Sequence, residues 1–234
     1  MAAKPSPPSP TTLKAGPPHH DGQTPVEYIP GDRVDEAPQQ GVALCLSGGG
    51  YRAMLFHLGA LWRLNELGVL PTLDRVSSVS GGSITAGVVA NNWGKLAFNQ
   101  ANVAANFGSE VVDPIRGLAS RTIDVPAILL GFLPWTSASS QIAAAYRRHL
   151  YGSATLQALP DRPTFVINST SLQSGVLWRF TKQYTWDYRV GKIEHPRLLL
   201  ARAIAASSAF PPFGRRDGGN RTTLQQSNSK VDAC

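Results

Sequence analysis

Cysteine is nearly absent: Cys45 and Cys234 are the only two in 234 residues. One lies inside an apolar run and the other is the last residue, so no disulfide framework is expected, and the compartment can be reducing or oxidising. Long apolar runs are missing as well. No stretch approaches the roughly 18 uninterrupted apolar residues of a membrane-spanning helix, and no apolar segment follows the N-terminal lysine as it would in a secretory leader. The expected location is therefore cytoplasmic or peripheral to a membrane. Runs of Lys/Arg interleaved with aromatics are absent too, so no nucleic-acid partner is expected. Acidic residues are few, 15 against 22 Lys+Arg, for a net charge of +7. The basic residues are scattered and read as a solvated surface, one that also suits an anionic membrane face. His, Cys and Asp never cluster at ligand spacing, and His19 and His20 stand alone, so neither a metal nor a cofactor is implied.

Proline is plentiful and unevenly placed. Nine of the 18 prolines fall in residues 1–38. Such a segment buries too little apolar area to offset its chain entropy, and it is expected to be a mostly disordered leader. Residues 39–212 are expected to form one folded domain, followed by a polar, atypical tail at 213–234.

Order begins at GVALCLSGGG. Residues 41–46 are a short apolar run halted by glycines, the pattern of a buried parallel strand. Met54, Leu58 and Leu61, with Leu55 and Trp62, recur at helical spacing, and Gly68 is a stop signal, which predicts a helix over 51–67. His57 on that helix reads as a packing residue. A second strand is predicted at 75–79, then a helix of small residues through ITAGVVANN. This alternation is that of an α/β sheet. Further along, LAFNQANVAANF and SQIAAAYRRHL look helical, and DVPAILLGFLPW between them reads as a buried segment, or more sharply as a lid that meets lipid. TFVINST and VLWRF read as paired strands across the Gln173-Ser174-Gly175 turn. A last helix is predicted from Pro196 through LLLARAIAAS, halting at Pro211-Pro212.

Both glycine turns follow predicted strands and open predicted helices. A serine nucleophile needs exposure, a base, and donors for a developing oxyanion. Ser78-Val79-Ser80-Gly81-Gly82 sits in a strand–turn–helix, which lifts the Ser80 hydroxyl above the sheet edge, with small flanking residues to relieve the strain. Ser47-Gly48-Gly49-Gly50-Tyr51-Arg52 offers backbone N–H groups without Cβ interference. Ser47, Ser77, Ser78 and Ser83 read as turn and cap residues.

SGGGYRAMLFHLGAL followed by SSVSGGSITAG resembles the patatin-like phospholipases and the related cytosolic phospholipases A2. AIAASSAFPP, residues 203–212, strengthens the resemblance, which covers about residues 41–212. It implies an α/β fold, a mainly parallel sheet sandwiched between helices, which the atypical tail after Phe213 is expected to leave incomplete at its C-terminus. It also implies hydrolysis of lipid acyl esters by a Ser-Asp dyad without histidine. By that resemblance Ser80 is the nucleophile, Gly48, Gly49 and Gly50 form the oxyanion loop, and Arg52 is their basic companion. Ala53 stands where patatins commonly have glycine. The family's aspartate lies in an Asp-Gly-Gly motif, and Asp217-Gly218-Gly219 matches it. Only four residues separate Asp217 from Pro212, a shorter connection than the family's. Two readings follow: Asp217 as the base, or a truncated, catalytically impaired protein that binds lipid or membrane. The remaining rival is a dinucleotide-binding oxidoreductase, because Gly48, Gly50 and Ala53 fit G-x-G-x-x-A. That fingerprint wants an acid at the end of the second strand, and Asp74 precedes the strand instead.

Overall fold

Apolar runs that end on glycine turns become strands in the computed structural model, which describes residues 40–120, 138–171, 175–187, 189 and 191–209. All belong to the unit Gln39–Cys234. The proline-rich leader, the apolar stretch at 124–135, Gln173, Ser174, the Pro211-Pro212 stop and the tail with Asp217 lie outside the described residues.

Strand β1 (Ala43–Leu46) leads through helix α1 (Gly50–Glu66) to β2 (Arg75–Val79), and β2 leads into α2 (Gly81–Asn92). Then follow α3 (Asp113–Ala119), α4 (Ala138–Tyr146), β3 (Thr164–Thr170), β4 (Leu177–Phe180), β5 (Tyr184–Asp187), β6 (Gly191–Glu194) and α5 (Leu200–Ser208). The six strands form one sheet in chain order. β1, β2 and β3 run parallel, in the register Leu46↔Ser78↔Ile167. From β3 onward the neighbours are antiparallel. The α/β reading holds: this is a mixed sheet with helices, and its parallel part carries both glycine turns.

Leu46, Val76, Phe165, Ile167, Trp178 and Phe180 point to one face of the sheet and are buried. On that side lies α2, of which eleven residues are buried. A helix enclosed on every side is apolar or small-residue all round, and α2 packs on α1, α5 and the strands. Gly87 admits Ile204 Cδ1 and Tyr151 Oη to 3.0 Å of where a Cβ would stand. α1 buries Met54, Leu58 and Leu61, whereas Leu55 and Trp62, expected on the same apolar pattern, lie outward at 46% and 43% exposure. Gly68 ends α1 at φ 68, with its N–H on the Asn65 carbonyl. Cys45, expected inside a buried strand, is exposed.

LAFNQANVAANF is not a helix. Phe98 and Ala104 form an isolated antiparallel bridge around a turn. Asn99 Oδ1 accepts the N–H groups of Ala101 and Val103, and Asn106 Oδ1 accepts that of Ala97. Asn102 takes φ 61. Asparagine side chains here satisfy the backbone in place of helical carbonyls, which is why the residue disfavours helix interiors. Buried Asn65 fixes the turn from α1 by bonding both the N–H and the carbonyl of Ala104. The helix predicted from Pro196 begins later, at Leu200, because Leu199 bridges Thr155 in extended conformation first. β5 and β6 had no sequence signal.

Candidate active site

Ser80 closes β2 and stands at the N-cap of α2 with φ 55 and ψ −124. A side chain other than glycine rarely takes positive φ, and such strain persists only where the surroundings impose it. The glycines around it allow the imposition. A Cβ on Gly81 would meet the Gly50 carbonyl oxygen at 2.1 Å, and one on Gly82 would meet those of Leu46 and Ser47 at 2.7 Å. The turn after β2 is thus pressed against the turn after β1. Ser80 is half-buried. Its Oγ lies 3.8 Å from where a Cβ on Gly48 would stand, and its Cβ 3.2 Å from that point.

The glycine loop is exposed along Gly48, Gly49 and Gly50. Gly49 has φ 139 and Gly50 φ 60. Neither α1 nor α2 has a side-chain cap or an acidic residue in its first turn. The first N–H groups of a helix have no intrahelical acceptor, and the start of a helix carries partial positive charge. Two uncapped helix starts therefore meet beside one hydroxyl, a favourable setting for negative charge. Arg52 is exposed on the first turn of α1.

A hydroxyl network braces the turn from beneath. The Ser80 N–H donates to Ser207 Oγ at 2.9 Å, and Ser207 Oγ donates to the Asn168 carbonyl at 2.6 Å. Ser83 Oγ lies 2.9 Å from Ser207 Oγ and 3.0 Å from Ser78 Oγ. Ser78 Oγ donates to the Val166 carbonyl. Ser207 and Ser78 each spend their one proton on a carbonyl, so Ser83 is the donor shared between them. Asn168 Nδ2 donates to Ser77 Oγ and to the Ser78 carbonyl. Ser83, expected as a cap, is instead fully buried in this network.

The glycine loop has its own brace. His57 is buried, and its Nε2 lies 3.0 Å from the Ser47 carbonyl and 3.3 Å from Ser47 Oγ. A carbonyl only accepts, so the proton sits on Nε2. This fits the expected packing role and gives it a purpose, since Ser47 is the residue before Gly48. Asp74, the acid weighed for a dinucleotide ribose, accepts the Val42 N–H and pairs with Arg162.

Sequence reasoning named Ser80, Ser78, Gly48, Gly49, Gly50, Gly81 and Gly82, and the fold brings them together. Arg52 sits on the helix that follows the glycine loop. Asp217 lies outside the described residues. Asn168 and Ser207 were missed; two serines ending an alanine-rich helix were the available signal for the latter. Among the described residues no group of His, Cys, Asp and Glu is arranged to hold a metal ion.

A family model described as patatin-like phospholipase matches residues 44–228. The match runs past the motif-based limit near residue 212 and includes Asp217. No curated protein sequence matches the chain. Among solved structures, the chain is similar to human GIVD cytosolic phospholipase A2 in complex with methyl gamma-linolenyl fluorophosphonate inhibitor and terbium chloride. Identity is 17% and the TM-score 0.48, over 82% of this chain and 33% of that one. It is also similar to the ExoU-SpcU complex of the Pseudomonas aeruginosa type III secretion system, at 21% identity and a TM-score of 0.42, over 78% of this chain and 38% of that one. The chain thus spans about a third of the length of these structures.

Proposed function

The chain belongs to the patatin-like phospholipase family, and from that premise we propose that it is a lipid acyl hydrolase with Ser80 as nucleophile and Asp217 as base. The observation that carries the reading is the strained φ 55 of Ser80, with its hydroxyl against the Gly48 turn. The match of the family model through residue 228 supports Asp217.

In the proposed reaction the Asp217 carboxylate takes the Ser80 hydroxyl proton as Oγ attacks the acyl carbonyl. The N–H groups of the Gly48–Gly50 turn hold the oxyanion, each such donor contributing about 3 kcal/mol in the transition state. The Ser80 N–H is engaged by Ser207, which leaves this work to the glycine loop. The proton then passes from Asp217 to the departing alcohol. A water, deprotonated by the same carboxylate, frees the acid and restores Ser80. Arg52 is suited to an anionic group of the substrate.

The same reading takes the outer face of α1 as the contact with the lipid surface. Leu55, Phe56 and Trp62 are exposed there, Phe56 at 71%. They follow the glycine loop on one helix, beside Arg52. Apolar and aromatic side chains next to a basic residue are the composition of an interfacial helix face. Among the described residues no helix is long and apolar enough to cross a membrane.

The test is hydrolysis of a short p-nitrophenyl ester, with labelling by a fluorophosphonate probe. Wild type hydrolyses the ester and is labelled, while Ser80→Ala does neither. Asp217→Ala slows both about 10²–10⁴-fold, the usual effect of losing a general base. Equal hydrolysis by wild type and Ser80→Ala would falsify the nucleophile assignment, and equal labelling of wild type and Asp217→Ala would remove Asp217 as base.

A further inference from the structure

A groove whose lining includes no residue of the two glycine turns is formed by Arg147 and Arg148, on the turn that follows α4, and by Arg202 on α5. Gly152 and Ser153 lie beside them. Arg147 and Arg148 alone would be two neighbours on a solvated turn. Arg202 comes from a helix on the far side of β3–β6 in the sequence, and the packing of α4 on α5 brings it to the same groove. All three are exposed. Among the described residues no carboxylate lies within ion-pair distance of any of them.

Three arginines lining one groove, with no acid paired to them among the described residues, repel one another, and a bound anion removes that cost. Arginine stays charged at every physiological pH. It presents a planar fork of donors that matches the oxygens of a phosphate in pairs. The Ser153 hydroxyl adds a neutral donor of adjustable direction. A single carboxylate ligand would engage one fork and leave two unmatched; an anion with several phosphate oxygens can serve all three.

We propose that the Arg147–Arg148–Arg202 groove is a binding site for a multiply charged phosphate anion, separate from the hydrolytic site. The ligand is either a free phosphate compound or the phosphate headgroup of a lipid. In both cases the recognised chemistry is the phosphate oxygens.

The test uses the full chain carrying Ser80→Ala, so that binding is read without hydrolysis and stands or falls apart from the catalytic assignment. Inorganic pyrophosphate is titrated by calorimetry at low salt. In parallel, the chain is sedimented with phosphatidylcholine vesicles with and without phosphatidic acid. Saturable pyrophosphate binding supports the site with free phosphate as ligand; binding gained only when phosphatidic acid is present supports it with the headgroup as ligand. In the arm that binds, Arg147→Gln/Arg148→Gln/Arg202→Gln lowers affinity about tenfold or more, as loss of charge-assisted bonds should, and Arg116→Gln does not. If the triple variant fails to fold, Arg202→Gln alone carries the test with an expected loss of about threefold. Binding in neither arm, or an affinity unchanged by these substitutions, overturns the proposal.

Discussion

At Ser80 the backbone is held where its side chain alone would not put it. The restraint comes from Ser207, whose hydroxyl accepts the Ser80 N–H and donates to the Asn168 carbonyl. Ser207→Ala removes both bonds and leaves a partly buried N–H and a carbonyl to find other partners. Such a loss costs about 1–3 kcal/mol, and urea unfolding should show it as a lowered midpoint with an unchanged slope. Because the lost bond is to the proposed nucleophile's own backbone, kcat for a short ester should fall more than KM rises. Ser207→Thr keeps the hydroxyl and should recover much of both. A variant that loses stability but keeps kcat would make Ser207 a packing residue only.

Among the elements, α1 shows why one apolar pattern can hold two roles. Met54, Leu58 and Leu61 face α2 and the core, while Leu55, Phe56 and Trp62 face outward. Hydropathy counts both sets alike. Replacing Phe56 by Ser removes the most exposed aromatic among the described residues, with its edge-on contact to buried His57, so stability should fall by no more than about 1 kcal/mol. Partition onto phosphatidylcholine vesicles should fall about tenfold or more, since a buried aromatic side chain contributes about 1.5–3 kcal/mol. Hydrolysis of a soluble short ester should not change. Unaltered vesicle binding would take α1 out of the lipid contact. The elements that were legible in the sequence are those with local signals: β1, α1, β2 and α2 with their glycine stops, the paired strands β3 and β4, and the helices α4 and α5. The segment at 96–107 was not, because its apolar spacing is helical while Asn99 and Asn106 bond the backbone locally. β5 and β6 escaped notice because β5 buries Thr185 and Asp187 in place of its aromatics, and β6 has Ile193 as its one apolar residue. Their pairing is decided by neighbours in the sheet and not by any period of their own.

For the domain as a whole, the candidate site was legible only as two separate turns. That Gly48 meets Ser80, and that Gly81 lies under Gly50, depends on β1 and β2 being parallel neighbours in register. Long-range supports carry no local mark, and Tyr151 is another. It is buried, donates to the Ile84 carbonyl of α2 at 2.9 Å, and packs edge-on to Tyr146. Burial, and next the nearby Tyr146, push its hydroxyl pKa well above the ordinary value of about 10. The folded state therefore keeps this proton at a pH where the unfolded chain releases it. Its contribution to stability is complete below about pH 10 and is lost as pH rises beyond that toward the folded value, with a slope of about 1.4 kcal/mol per pH unit for one proton. Tyr151→Phe has no such proton. At neutral pH it should be less stable than wild type by about 1 kcal/mol for the lost hydrogen bond. Above pH 10 the gap should close, because only wild type carries this term, and other titrating groups cancel in the comparison. Urea unfolding of both proteins at intervals from pH 8 to pH 11 checks it: curves that stay parallel across that range would mean that Tyr151 ionises as freely in the folded domain as in the unfolded chain.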